Sequence, residues 1–410
     1  MNNENFKYVA ATELNPNYNK YIERLLPIYQ SNGEIRSPFA RDYTRILHCG
    51  AYRRLKHKTQ VFYNIESDHI CTRMEHVLHV ESVSYTIAKY LGLNDELTRA
   101  IATGHDLGHA PFGHYGESIL NELTKKYLGD SFWHEKNGLY FVDNLELLPD
   151  HNNEYKILNL TYAVRDGIIS HCGERDINQI MPRREFIDLN DFVLPGQFNP
   201  ITYEGCVVKM SDKIAYVGRD IEDAINLGFL EEIDIKELSK IVKLKEGSII
   251  NTSTIMSNLI LDVCENSSVE RGICLSDEMS EILNKIKKFN YEHIYKNERF
   301  EPFKKYAEMV IKEIFELLYS CYNGGLVFEG LKEKGVHYPM IIGEFTNFLT
   351  KYCDSAVVPE KYFNNIEKFK NIKIYHSFKD EKDYVRAIID YIAGMTDRYA
   401  VKVFSELITY

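Results

Sequence analysis

Over most of this chain the apolar residues recur at intervals of three and four, the spacing of helices that bury one face. The clearest run is Arg73 to Leu91. His76, Val80, Val83, Ile87 and Leu91 fall on one side of it, and Gly92 follows as a stop signal. Asn94 stands where a helix cap belongs, with Asp95 and Glu96 placed to favour the positive end of the next helix, and Leu97, Ile101 and Ala102 carry the pattern to His105. The segment GHAPFG, Gly108 to Gly113, breaks the periodicity, and Glu117 to Leu128 resumes it. Further helices are expected over 154–171, 205–227, 278–290, 303–322, 340–352 and 381–408, with loop from Val193 to Thr202, where Pro195, Gly196 and Pro200 cluster. The stretch 228–300 is dense in lysine and glutamate and reads as peripheral helices. No G-x-G-x-x-G, P-loop or internal repeat is present. The pattern predicts an all-α chain: a helical core over 1–230 and a helical C-terminal region over 231–410 packed on it, with no Gly/Ser-rich linker between them.

Composition narrows the class. The chain has 410 residues, enough to bury a core without covalent staples, and its 44% hydrophobic and 27% charged content is that of a globular protein. No apolar run approaches the ~18 residues of a membrane span. The opening MNNENFKYVA has neither the basic start nor the apolar stretch of a signal peptide. Eight scattered cysteines without a C-x-x-C pair fit a reducing compartment, so a cytoplasmic location is expected. A net charge of -11 argues against general coating of nucleic acid. Yet Arg36, Arg41, Arg45, Arg53, Arg54, Lys56 and Lys58 face a single acid, Asp42, within one stretch. That concentration reads either as a site for a phosphate-bearing ligand or as a solvated basic face.

Histidine is the anomaly. Nine of fourteen fall between His48 and His134, less than a quarter of the chain. Histidine grouped with carboxylates is the composition of a hydrolytic metal site, because neutral imidazole and carboxylate together suit borderline divalent ions. The dipeptide His105-Asp106 means nothing alone, and His76 by itself reads as a satisfied core histidine. Their setting changes this. His76 lies on an apolar helical face, and Asp212 lies on another, in the stripe of Val208, Asp212 and Ala215 or Tyr216. A carboxylate on a buried stripe needs a partner or a metal. His76, His105, Asp106 and Asp212 together supply four ligands and leave two octahedral positions for water and phosphate oxygens.

These residues stand in stretches that resemble a known family. YRRLKHKTQVF (52–62), TRMEHVLHVESV (72–83), IATGHDLGHAPFGHYGESIL (101–120), VVKMSDKIAYVGRDIEDAI (207–225) and DYIAGMTDRYA (390–400) are similar to the HD-superfamily deoxyguanosinetriphosphate triphosphohydrolases. The resemblance implies an all-α HD-domain helical bundle in which His76, His105, Asp106 and Asp212 hold Mn2+, Mg2+, Fe2+, Co2+ or Ni2+. It makes His114 and Glu117 the catalytic histidine and its acidic partner, an i, i+3 pair in which the carboxylate orients the ring. It places His109 and His134 near the phosphates, although His134 stands in WHEKN, which departs from the usual phenylalanine-containing form. It assigns Arg73 and Lys213 to phosphate binding and Gln60, Tyr216 and Asp220 to the sugar. His171 reads as support for the site.

The implied reaction is hydrolysis of a deoxynucleoside triphosphate (dNTP) to deoxynucleoside and inorganic triphosphate, water attacking the α-phosphorus. The same resemblance implies a homo-oligomer, often a hexamer, and activation by a nucleotide at a second site. Two other readings keep the metal ligands: a nucleoside-monophosphate phosphatase or guanosine-tetraphosphate hydrolase, and a nucleotide- or single-strand-binding module with little turnover.

Overall fold

The computed structural model describes residues 6–28, 33–63, 69–172, 178–243 and 252–409, with the side chains of 364 and 365 left aside. Among the described residues it is all-α apart from two two-stranded antiparallel ribbons. The chain groups into two compact units, neither of which is one continuous stretch. The first comprises Met1–Ile46, Gln60–Asp106 and Leu160–Glu301, and the second Leu47–Thr59, Leu107–Asn159 and Pro302–Tyr410.

The first unit is built around the helices Arg73–Leu91, Asp95–Gly104, Tyr162–Ser170 and Tyr203–Asn226, with Thr252–Asn266 packed on the first and last of these. The stop at Gly92 and the cap at Asn94 are in place, and Thr72 adds a third terminus. The Glu75 carboxylate accepts the Thr72 N–H at 2.6 Å, Gly92 takes φ 75°, and the Asn94 side chain accepts the Leu97 N–H at 3.1 Å. Val77, Val80, Ile87, Leu97, Ile101, Val208, Ile214 and Ile221 are fully buried, so the apolar stripes that the spacing marks are the core. Arg24 and the Thr161 N–H both bond Asp42, the one acid of the basic stretch.

Glu204 joins three segments of this unit. Its buried carboxylate accepts the N–H groups of Ala11 and Asn94, each at 2.9 Å. Glu204→Ala strands both donors away from water and is expected to cost about 2–5 kcal/mol, measurable as a shift in the urea midpoint at constant slope.

The second unit packs the helices Gly113–Leu128 and Glu381–Ala393 together, with Pro339–Tyr352 against Val327–Lys334, Glu381–Ala393 and Asp397–Ile408. The single helix expected over 381–408 is two, because Thr396 caps a new start on the Tyr399 N–H. The helix expected over 154–171 begins only at Tyr162. Before it, Tyr155–Ile157 pairs with Leu147–Pro149 around a turn whose Asp150 carboxylate accepts the Asn152 and Glu154 N–H groups. The 228–300 stretch does hold helices, Glu232–Ile241, Thr252–Asn266 and Asp277–Phe289, while 244–251 lies outside the described residues.

Candidate metal centre and a histidine cluster

In the first unit, the Arg73–Leu91 helix supplies His76, the end of Asp95–Gly104 supplies His105 and Asp106, and Tyr203–Asn226 supplies Asp212. His76 Nε2 lies 3.0 Å from Asp212 Oδ1 and 3.9 Å from Asp106 Oδ2. His105 Nε2 lies 3.5 Å from Asp106 Oδ1 and 3.8 Å from Asp212 Oδ1. Metal–ligand bonds of 2.0–2.2 Å put adjacent donors of one ion about 3.0–3.5 Å apart, so the four side chains are already near coordinating positions.

His105 provides the test of fit. Its Nδ1 faces the Ala102 carbonyl at 2.6 Å, a contact that requires the proton on Nδ1 and leaves a lone pair on Nε2. That Nε2 is buried and has no hydrogen-bond partner. An unpaired buried acceptor amid two carboxylates is costly unless a cation takes it. Burial works against ionised Asp212, yet His76, His105 and His171 hold its carboxyl well below the usual range. Burial likewise opposes a charged His76, and Asp212 and Asp106 more than offset it, so its pKa is raised. The set fits a divalent ion.

Arg73 is buried with Nη1 2.9 Å from Asp106 Oδ2, and Nη2 reaches the Gln60 carbonyl at 3.4 Å. It therefore braces a ligand as well as offering charge. Gln60 Oε1 is buried without a partner, as an acceptor awaiting a hydroxyl would be. Lys213 is buried beside Asp212 in sequence, and Tyr216 and Asp220 follow one and two turns along the same helix. Burial pushes the Asp220 carboxyl up to about 6, and the Tyr295 hydroxyl donates to it. Tyr295 is a neighbour that sequence reasoning missed: 75 residues separate the pair, and one tyrosine among twenty-nine carries no signal. His171, expected as support, sits ring to ring with His105 at 4.9 Å, its Nδ1 2.7 Å from the Ile168 carbonyl.

The second unit gathers His109, His114, Glu117 and His134, whose ligating atoms all lie within 4.8 Å of one another. Two glycines make this possible. A Cβ on Gly108 would stand 2.0 Å from the His134 carbonyl oxygen, and one on Gly116 would stand 1.8 Å from that of Pro111. Phe112 is held at φ 63°, in the left-handed region, by its N–H bond to Asp397 at 2.8 Å, and the Gly113–Leu128 helix starts immediately after it. Glu117 Oε2 lies 3.3 Å from His114 Nδ1 and 3.1 Å from His134 Nδ1. Burial would raise the Glu117 pKa, but the two imidazoles hold it well below the usual carboxylate range.

Four cations of the basic stretch are paired within the protein. Arg36 and Arg41 meet Glu34, Arg54 meets Glu146 at 2.5 Å, and the Lys58 ammonium bonds the carbonyls of His109 and Ala393. Arg36 stays exposed in its pairing, whereas Lys58 is buried.

Residues 73–217 match the family described as HD domain, and residues 273–326 and 363–406 match the phosphohydrolase-associated domain. A deoxyguanosinetriphosphate triphosphohydrolase-like protein of Caldanaerobacter subterraneus is 33% identical over 91% of this chain and 86% of its own length. Proteins of the same description from Leptospira interrogans and Geobacter metallireducens are 32% and 31% identical, each over 91% of this chain and 90% and 89% of their own. Among the described residues, no helix is long and apolar enough to cross a membrane. The chain belongs to the HD phosphohydrolases, in the family of deoxyguanosinetriphosphate triphosphohydrolase-like proteins.

Proposed function

We propose that this protein hydrolyses dNTPs to deoxynucleoside and inorganic triphosphate. The observation that carries the reading is the His76–His105–Asp106–Asp212 set, with the unpaired His105 Nε2 among its carboxylates, in a chain of this family. A divalent ion held there neutralises phosphate charge and polarises the attacked phosphoryl group. Mn2+ and Mg2+ suit a set with two open positions.

The chain's own residues do the rest. Lys213 and Arg73 bind the triphosphate, Arg73 while keeping Asp106 aligned. Gln60 and Asp220 hold the 3′-hydroxyl, and Tyr216 forms a wall that leaves no room for a 2′-hydroxyl. His114, oriented by Glu117, moves the proton, with His109 and His134 beside it. All eight cysteines are free thiols and seven are buried, which supports the cytosol as the compartment.

Chromatography of the products from a panel of dNTPs and NTPs tests this reading. Triphosphate and deoxynucleoside are expected, with kcat/KM for dNTPs at least ~10²-fold above that for NTPs. Tyr216→Ala should relax that ratio. Monophosphate or pyrophosphate as the product overturns the reaction, and equal turnover of GTP and dGTP overturns the sugar roles alone.

A further inference from the structure

The second unit carries a donor set that shares no residue with the HD ligands: three imidazoles and one carboxylate, from His109, His114, His134 and Glu117. A Zn–N bond of 2.0–2.1 Å gives a tetrahedral site an edge of about 3.3 Å. Glu117 Oε2 stands 3.3 and 3.1 Å from the Nδ1 atoms of His114 and His134. The separations that seat a proton thus also seat a tetrahedral cation. The His109 ring centroid lies 3.8 Å from that of His134 and 5.5 Å from that of His114, completing a compact group.

The floor of the group is fixed. His109 and His134 are buried, the His134 N–H donates to Glu117 Oε1 at 3.2 Å, and the Asn137 amide donates to the Gly108 carbonyl at 2.7 Å. The rim is open, because the His114 side chain is 69% exposed. Three imidazoles with one carboxylate suit Zn2+ and its borderline neighbours, whereas Mg2+ and Ca2+ prefer oxygen.

We propose that this cluster is a Zn2+ site and that its occupation takes His114 out of proton transfer, making free Zn2+ an inhibitor. Binding stands on the cluster's geometry. The effect on turnover rests on the role given to His114 above.

The test is calorimetric titration of Zn2+ into the full-length His105→Ala/Asp106→Ala protein, which lacks two of the four HD donors. One equivalent is expected, and adding His114→Ala or His134→Gln should weaken it by ~10²-fold or more. His114→Ala alters an exposed ring and spares the core. Co2+ in place of Zn2+ should show the visible absorption of a tetrahedral site, lost in the same variants. No binding in the double variant, or binding that neither added substitution weakens, overturns the site. In Mn2+-loaded wild type, inhibition should follow the calorimetric Zn2+ affinity, and full turnover with the cluster filled overturns the inhibitory role. A chain that hydrolyses no dNTP fails at the product assay and leaves the Zn2+ count unchanged, so the two failures are distinct.

Discussion

Asp212→Asn is expected to give a folded protein that retains no Mn2+ and hydrolyses dNTPs at least about 10³-fold more slowly. The substitution keeps shape and volume and removes only the charge. Burial opposes that charge, but the imidazoles of His76, His105 and His171 more than offset it, so the metal-free variant should be somewhat less stable than its parent at neutral pH. What disappears is the anionic donor that His76 Nε2 meets at 3.0 Å. His76→Ala, His105→Ala and Asp106→Ala should behave alike toward metal, with an added packing loss of roughly 1–3 kcal/mol for the fully buried His105. Two measurements check this. Elemental analysis after Mn2+ loading should find the ion in wild type alone, and Mn2+ is the ion to use because the histidine cluster prefers Zn2+. Metal at 100 times its Kd should stabilise wild type by about 2.7 kcal/mol and none of the four variants. Full Mn2+ content in two or more variants would sink the donor set.

The helices that carry these ligands are legible because local chemistry repeats along them. Caps at Thr72, Asn94 and Thr202 and the stop at Gly92 are each settled within a few residues. His76 and Asp212 stand out for the same reason: a polar group on an otherwise apolar stripe is a local anomaly. Contacts that close over long stretches leave no such trace. Nothing in the spacing announces that Asp397 holds the Phe112 N–H across 285 residues, that Tyr295 bonds Asp220, or that Glu204 reaches Ala11. A partner of the basic stretch is hidden in the same way, since Arg54 and Glu146 are 92 residues apart in sequence and paired in space. The interleaving of the two units is also invisible to periodicity, because a helix pattern says which face is buried and not against what.

His114→Ala is expected to lower kcat by about 10²-fold or more while leaving KM for dNTP and Mn2+ content near their wild-type values. This residue stands outside the metal donor set. Its side chain is 69% exposed, its Nδ1 meets Glu117 at 3.3 Å, and it rides on the first turn of the Gly113–Leu128 helix, directly after the strained Phe112. A ring so placed contributes little to folding, so a large loss of rate cannot be charged to instability. Glu117 acts through it. The depressed pKa keeps that carboxylate ionised at any pH above the usual carboxylate range, so an ionisation seen in the kcat profile near neutrality belongs to another group. Glu117→Gln keeps a hydrogen-bonding side chain but removes the charge. It should therefore lower kcat by less than His114→Ala does. Combining the two substitutions should cost little more than His114→Ala alone, as expected of residues that work as a unit. Steady-state kinetics across pH on the three variants decides it. Wild-type kcat in His114→Ala removes the residue from the mechanism, and additive losses in the double variant remove Glu117 as its positioning partner.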